Sequence, residues 1–351
     1  MHNDAYSDVV DCDPRPWGYP MRRREFIAVV SGAAAWPLVA RAQQSGSPVR
    51  RIGFLNLLAE TDPQAQSWDT AFRKGLDELG WIDGRNVHID YRWGAGSLDR
   101  VRLFAQELVR LKPDVLIAAT TPATAALQAE TETIPIVFAG VSDPIGSGFV
   151  ASLANPGGNI TGFIILQGSL GGKWLELLHE VAPRVSRVGI LFNPQTAPYA
   201  RYYLDTFHPA AAALSVEPID APFQSAAELE ATMTNLGREA DTGLIVVPDT
   251  STQLHHASII SLADRYRLPT IYPYRSFVAE GGLMSYGADV ADEYRRGLPS
   301  YVDRILKGER PADLPGQLPT KFELAINLKS AKALELNFPQ TVHATADEVI
   351  E

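Results

Sequence analysis

The stretch DVLIAATTPATAALQAETETIPIVFAG, from Asp114 to Gly140, indicates the fold of this protein. An apolar strand, Val115 to Ala119, is followed by a polar turn, a helical stretch from Ala123 to Thr131 and a proline-led apolar run from Ile134 to Ala139. Short, continuously apolar strands that alternate with helices are typical of a parallel sheet covered by helices on both faces. The stretch therefore predicts a βαβ unit of an α/β domain.

Two similar units precede this stretch. The apolar run Ile52 to Leu58 leads into a helical pattern from Gln64 to Leu79, which ends at Gly80. Val87 to Trp93 then leads into a second helical pattern from Asp99 to Leu111. Glycine after the last periodic residue is a common helix stop. These units predict one sheet for the first half of the chain.

The same alternation restarts after Asn159. The segment TGLIVVPDTSTQLHHASIISLADRYRLPTIYPY, from Thr242, again runs from strand through polar turn and helix to a proline-led strand. Two α/β segments can share such a pattern by chance. The other explanation of the similarity is that the chain contains two equivalent halves. We expect a second sheet with strands at Val188–Phe192, Leu244–Val247 and Thr270–Tyr274, and helices around Lys173–Val181, Tyr199–Leu214 and Leu254–Tyr266.

Length and charge exclude several classes of function. The chain has 351 residues, of which 46% are hydrophobic, enough for two moderate cores. Its net charge of -10 argues against nucleic-acid binding, which needs clustered lysines and arginines. The one cysteine, Cys12, precedes the export segment described next, so disulfides and thiolate sites are not expected in the mature protein.

An export signal is predicted near the N-terminus. The segment MRRREFIAVVSGAAAWPLVARA, Met21 to Ala42, has a basic start, an apolar stretch and small residues before the expected cleavage after Ala42. The arginine pair resembles a twin-arginine signal. A membrane anchor is the alternative, but the apolar stretch contains Pro37 and is shorter than the roughly 20 residues that span a bilayer. Residues 1–42 are therefore a leader and signal peptide, and the mature protein is expected in the periplasm.

The later segments predict how the two halves are connected. After Gly282 the chain is expected to return to the first lobe and then to cross again, which gives three connections. Lobe 1 is predicted to contain residues 50–161 plus 284–317, and lobe 2 residues 162–283 plus 318–351. The turn Pro156-Gly157-Gly158-Asn159 is either a hinge where the chain leaves lobe 1 or a plain surface turn.

Four blocks resemble one known family. They are the signal MRRREFI with the following AWPLVARAQ, IPIVFAGVSDPIGSGFVASLANPGGNITGF at Ile134 to Phe163, LPTIYPYRSFVAEGGLMSYGAD at Leu268 to Asp289, and LPTKFELAINLKSAKALEL at Leu318 to Leu336. The chain resembles ABC-transporter substrate-binding proteins of the tryptophan/tyrosine-binding type. The resemblance implies an α/β type I periplasmic-binding fold with two Rossmann-like lobes joined by three crossovers. It also implies a monomer that gives a small molecule, such as an amino acid, to an ABC permease.

Candidate ligand contacts lie where the predicted strands end. The carboxyl ends of parallel strands are the usual ligand-binding edge of an α/β sheet. By resemblance, hydroxyls there bind the carboxylate of an amino acid and an acidic side chain binds its ammonium group, whereas tyrosines stack on an aromatic ligand. Each polar candidate has a capping or turn role as its alternative. The candidates are Thr120, Thr121, Ser142, Asp143, Asn193, Asp249, Thr250, Tyr274 and Tyr286.

Two other functions are alternatives to transport. An exported α/β hydrolase is one, but the nucleophile elbow, the phosphate loop and the His-Glu-x-x-His pattern are missing from the sequence. His255 and His256 are adjacent, so on a helix they point apart and do not suit a single metal ion. A binding protein that docks on a membrane sensor is the other. We expect a non-enzymatic binding protein with no cofactor, no metal and no nucleic-acid partner.

Overall fold

The computed structural model describes residues 49–165 and 167–351. The predicted leader, the export segment and the cleavage position after Ala42 lie outside the described residues. Within these ranges, none of the helices combines the length and apolar character that crossing a bilayer requires.

The first sheet contains five parallel strands from the N-terminal half of the chain. Its strands are β1 (Arg50–Asn56), β2 (Val87–Trp93), β3 (Val115–Ala119), β4 (Ile136–Val141) and β5 (Ile160–Ile164), in the spatial order β2-β1-β3-β4-β5. The connecting helices are α1 (Pro63–Glu78), α2 (Leu98–Arg110) and α3 (Thr121–Glu130). All five residues of β3 are buried, as expected for a central strand covered on both faces.

The second sheet has seven strands, of which only the β10–β11 pair is antiparallel. Its strands are β6 (Arg187–Phe192), β7 (Glu217–Pro222), β8 (Thr242–Val246), β9 (Thr270–Tyr272), β10 (Met284–Ala288), β11 (Phe322–Asn327) and β12 (Glu348–Ile350), in the order β12-β11-β10-β9-β8-β6-β7. Its helices are α4 (Leu170–Val181), α5 (Arg201–Leu214), α6 (Ala226–Gly237), α7 (Thr250–Leu254), α8 (His256–Arg265) and α9 (Arg275–Ala279). The helices α12 (Leu328–Ala333) and α13 (Gln340–Thr345) follow β11.

The chain passes between the two sheets three times, after β5, after β10 and before β11. After β10, a short helix α10 (Val290–Asp292), a π-helical turn (Glu293–Gly297) and α11 (Leu298–Leu306) pack against α1 and so belong to lobe 1. The Phe163 and Gln317 backbones then pair beside β5 before the last passage. The predicted α/β fold with two lobes and three crossovers is confirmed.

Two predicted lobe boundaries differ from the strand pairing. The predicted lobe 1 includes residues 284–288, but this segment is β10, and it pairs with β9 and β11 in the second sheet. The boundary between residues 161 and 162 cuts through β5, whose ladder with β4 continues to Ile164 opposite Val141. Hydrogen bonding along whole strands, which the apolar pattern alone does not reveal, fixes both assignments.

The hinge interpretation of Pro156 to Asn159 is wrong. This turn precedes β5 and lies within lobe 1, so the chain does not leave the lobe there. The Asn159 side chain donates to the main-chain oxygens of Thr131 and Ile134, which anchors the turn to the same lobe. Gly157 has a φ of +84°, which accounts for the glycine. The turn is therefore the plain surface turn of the alternative prediction.

Candidate functional site

The two segments that resemble each other in sequence face one cavity, which we call the inner cavity. In lobe 1, β3 ends at Ala119 and Thr120 caps α3, its hydroxyl accepting from the Ala123 N–H at 3.3 Å. In lobe 2, β8 leads through Pro248 to Asp249, which caps α7. Residues of both connections line the inner cavity. The ends of β3 and β8, which belong to the two segments that resemble each other in sequence, therefore meet at one site.

The inner cavity is narrow. Its volume is about 30 Å³, and its walls come from both lobes. Sites for small molecules usually measure roughly 300–1,000 Å³, and a space of about 30 Å³ holds little more than a water molecule. An amino acid therefore needs the lobes to separate, or needs neighbouring space in addition to the inner cavity.

Asp249 is the buried acidic group of the inner cavity, with 3% of its surface exposed. Its Oδ1 accepts from the Ser251 N–H at 3.1 Å and its Oδ2 from the Asn193 N–H at 3.0 Å. Burial raises the pKa of Asp249 to about 6, although the Thr196 hydroxyl and these main-chain donors oppose the rise. No cation pairs with Asp249 in the part of the chain that the structure describes. A cationic group of a ligand would therefore meet an uncompensated carboxylate.

Three hydroxyls near the inner cavity lack hydrogen-bond partners within residues 49–165 and 167–351. They belong to Thr121 and Ser142 of lobe 1 and Tyr203 of lobe 2. Thr121 lines the cavity with 3% of its surface exposed, and Ser142 is completely buried. Burial raises the pKa of the Tyr203 hydroxyl. A buried hydroxyl without a partner costs about 1–3 kcal/mol, so a ligand that bonds to it gains that energy.

Aromatic rings form the wall between the lobes. Trp68 of α1 stacks on Tyr294 of the π-turn, with ring centroids 5.4 Å apart. Trp68 also packs edge-on against the ring of Tyr274 of lobe 2, with ring centroids 6.1 Å apart. Tyr199 also lines the cavity, and its hydroxyl donates to the Pro248 oxygen at 2.7 Å. These rings suit an aromatic ligand because they offer both faces and edges.

A larger cavity, which we call the outer cavity, adjoins the inner one. Its volume is about 400 Å³, and residues at the start of α1, near the end of α7 and at the start of α9 line it. The two cavities share Trp68, Gln253 and Tyr274. Together they extend from the buried strand ends towards the surface between the lobes.

The structure gathers five of the nine predicted site residues at the inner cavity: Thr120, Thr121, Asp249, Thr250 and Tyr274. Ser142 is completely buried and lines neither cavity. Asn193 is buried and organises α7, since its Nδ2 donates to Ser251 Oγ at 2.9 Å.

Two predicted residues lie elsewhere. Asp143 accepts from the Gly146 N–H at 2.8 Å and is not part of either cavity wall, so its turn role is the one observed. Tyr286 stacks on Phe322, with ring centroids 5.8 Å apart, in a groove beside α4 and α5. Tyr286 follows the buried Ser285 on β10. Because adjacent strand residues face opposite sides of a sheet, the two side chains lie on different faces.

Sequence reasoning missed several cavity residues. Trp68 and Tyr294 lie on helices, where apolar periodicity is the same for core residues and cavity walls. Gln253 lies in the polar turn after β8, immediately before the predicted helix that begins at Leu254. The polar turn that follows β8 was the available signal, because a helix that begins at the ligand edge also places its first turns there.

Two lobes that enclose a cavity between their strand ends define a type I periplasmic-binding fold. The chain belongs to the family of ABC transporter substrate binding proteins, whose model matches residues 61–350.

Several known proteins are similar to it. The chain is 26% identical over 292 residues to a tyrosine-binding protein of Clostridioides difficile strain R20291, covering 82% of this chain and 81% of that protein. It is 26% identical to the ABC domain in complex with L-Trp from Streptococcus pneumonia, with a TM-score of 0.80 and coverage of 87% and 100%. The ligand-free, open structure of CD0873, a substrate binding protein with adhesive properties from Clostridium difficile, has 24% identity, a TM-score of 0.64 and coverage of 86% and 99%.

Proposed function

We propose that this protein is the exported solute-binding component of an ABC importer, which captures an aromatic amino acid between its lobes and delivers it to a permease. The observation that carries the proposal is the inner cavity, where, among the described residues, the Thr121 hydroxyl of lobe 1 has no hydrogen-bond partner and Asp249 of lobe 2 has no cation. Family membership supports the transport role, and two of the similar proteins described above are a tyrosine-binding protein and a complex with L-Trp. In this proposal the protein binds and releases its ligand and catalyses no reaction.

The polar groups match the two charges of an amino acid. The carboxylate binds at the N-terminus of α3, a helix of ten residues, where the hydroxyl of Thr121 is available. The ammonium binds to Asp249 from the opposite lobe. The ring packs among Trp68 and Tyr274. A ligand bound in this way contacts both lobes at once, and it therefore stabilises their closed arrangement.

Comparison with two solved structures and the volume of the inner cavity support this closing motion. The TM-score is 0.80 with the L-Trp complex and 0.64 with the ligand-free, open structure. The 30 Å³ inner cavity is likewise too narrow for an amino acid to enter from solvent. Both observations favour a closed arrangement here, from which a hinge motion admits the ligand.

Calorimetry with four matched compounds tests the proposal. We expect L-tryptophan and L-tyrosine to bind, whereas tryptamine, which lacks the carboxylate, and indole-3-propionate, which lacks the ammonium, should bind on the order of 100-fold more weakly because each leaves buried polar groups unpaired. Small-angle scattering should report a smaller radius of gyration with L-tryptophan. Equal binding of all four compounds, or binding of none, would contradict the proposal. Uptake of labelled L-tryptophan by cells with and without the protein tests delivery.

A further inference from the structure

The outer cavity has the size of a ligand site. At about 400 Å³ it falls within the range of roughly 300–1,000 Å³ that small-molecule sites occupy, and the inner cavity does not. The shared residues Trp68, Gln253 and Tyr274 connect the two. A ligand anchored at Asp249 that is larger than a few atoms therefore extends past these three side chains into the outer cavity.

Gln253 points to a ligand at this junction. It is only 6% exposed, and its side-chain amide makes no hydrogen bond to the described residues. Its main chain is engaged, since the Gln253 oxygen bonds to His256 Nδ1 at 2.7 Å. Buried amide groups nearly always have partners, so an amide that faces both cavities is available to a ligand in either one.

The walls of the outer cavity carry an excess of negative charge. Four carboxylates line it, at Asp62, Glu280, Asp289 and Glu323.

Two of these carboxylates are already paired. Glu280 lies 2.8 Å from His256 Nε2, and Asp289 lies 2.7 Å from Lys321 Nζ. The arginine of the cavity, Arg275, forms its ion pair with Glu348.

Asp62 and Glu323 therefore remain without an ion-pair partner among the described residues. Burial and the nearby Asp289 charge raise the pKa of Glu323, although the charges of Arg275 and Lys321 oppose the rise.

We infer that the outer cavity is a second compartment of the ligand site and accepts a positively charged side group of the ligand, with Gln253 bonding at the junction and Asp62 and Glu323 supplying the charge. The inference rests on the proposed function, since the α-ammonium and carboxylate must be held in the inner cavity. It predicts that, among amino acids with an aromatic side chain, those whose side chain ends in a cation bind more tightly. A neutral aromatic amino acid binds in the same orientation but leaves the two carboxylates unpaired.

Three phenylalanine derivatives with the same ring and different charge test this inference by calorimetry. We expect 4-(aminomethyl)-L-phenylalanine to bind about tenfold more tightly than L-tyrosine, and 4-carboxy-L-phenylalanine about tenfold more weakly. Glu323→Gln and Asp62→Asn should each reduce the preference for the cation, and Asn retains the capping role of Asp62 at α1. Gln253→Met should weaken binding of all three compounds.

The control variant is Asp99→Asn, which removes one carboxylate at the exposed start of α2 and should leave the preference unchanged. Thermal unfolding of each variant checks that it is folded. If L-tyrosine binds but the cationic compound binds no better, the inference is overturned and the proposed function stands. If none of the three compounds binds, both are overturned. A preference for the cation that persists in both Glu323→Gln and Asp62→Asn would also overturn the assignment to this cavity.

Discussion

Asp249 combines a structural and a recognition role in one side chain. Its oxygens accept two main-chain hydrogen bonds that start α7 and fix the loop after β6. The same carboxylate lines the inner cavity, where burial holds its pKa at about 6. A substitution that preserves the cap and removes the charge separates the two roles.

Asp249→Asn should weaken binding of L-tryptophan by about 2–5 kcal/mol, because the ligand ammonium loses its buried counter-charge. Asparagine keeps one oxygen to cap α7, but its amide nitrogen cannot accept from the second main-chain N–H, so the ligand-free variant should lose about 1–3 kcal/mol of stability. Calorimetry measures the first quantity and thermal unfolding the second. Unchanged affinity would remove Asp249 from the recognition of the ammonium.

Glu293, in the π-turn, predicts a pH dependence of stability. Its Oε1 is buried without a partner among the described residues, and burial raises its pKa from 4.5 to about 8, against the opposing Gly140 main chain. Between these values the unfolded chain has released the proton and the folded protein has kept it. The unfolded state then binds fewer protons, so the free energy of unfolding falls as the pH rises through this window.

Glu293→Gln should remove most of this dependence. We expect the wild type to lose roughly 2–4 kcal/mol of stability between about pH 5 and about pH 8, with a further part from Asp249 in the acidic half of the window, and the variant to lose much less. Denaturant titrations at several pH values measure both. The exposed Glu230→Gln should behave as the wild type does. A Glu293→Gln profile parallel to the wild type would show that the residue does not carry the effect.

At the scale of elements, α7 connects ligand recognition with closure of the lobes. It begins at Asp249, includes Gln253 and ends at Leu254, a leucine that is 36% exposed. Leu254 approaches the backbone of Gly96 in the loop between β2 and α2 of lobe 1; a Cβ added at Gly96 would lie 2.8 Å from Leu254 Cδ1. One short helix thus contacts the ligand cavity and the opposite lobe.

Gly96→Ala should impair closure and weaken L-tryptophan binding by about 1–3 kcal/mol, because the added methyl group overlaps Leu254 when the lobes meet. The matched control is Gly84→Ala, since Gly84 has a φ of +80°, close to the +81° of Gly96, but open space around it. Both variants bear the same backbone strain.

Adding Leu254→Ala to Gly96→Ala should restore affinity by removing the overlap. Calorimetry and small-angle scattering compare the single and double variants. Equal losses in Gly96→Ala and Gly84→Ala would assign the effect to backbone strain alone.

The element pattern shows how far the sequence predicts this structure. Val87–Trp93 and Val115–Ala119 were predicted with their observed bounds, the first from alternating apolar residues and the second from a continuous apolar run. β7 was missed because it carries Pro218 and Pro222, which are tolerated at the edge of a sheet but weaken the strand signal. The cavity residues Thr121 and Asp249 were found from strand ends, whereas Gln253 and Glu293 depend on packing between segments distant in sequence.

At the scale of the whole molecule, the charge of the chain and that of its cavities have the same sign. The net charge is -10, and the carboxylates of the outer cavity continue this bias into the space between the lobes. Negative walls attract cations and repel anions during diffusion. The overall charge therefore favours the same ligands that the unpaired Asp62 and Glu323 favour.

The return of the chain after β10 makes each half of the molecule depend on the other during folding. Lobe 1 has a sheet from one continuous segment, but α11, which covers part of it, is made only after five of the seven strands of the other sheet. Severing the chain after β5 would therefore yield a fragment that keeps the core on one face of its sheet but leaves the face under α11 bare. We therefore expect the two lobes to fold in a single cooperative step. Topologies with many contacts between residues distant in sequence fold slowly.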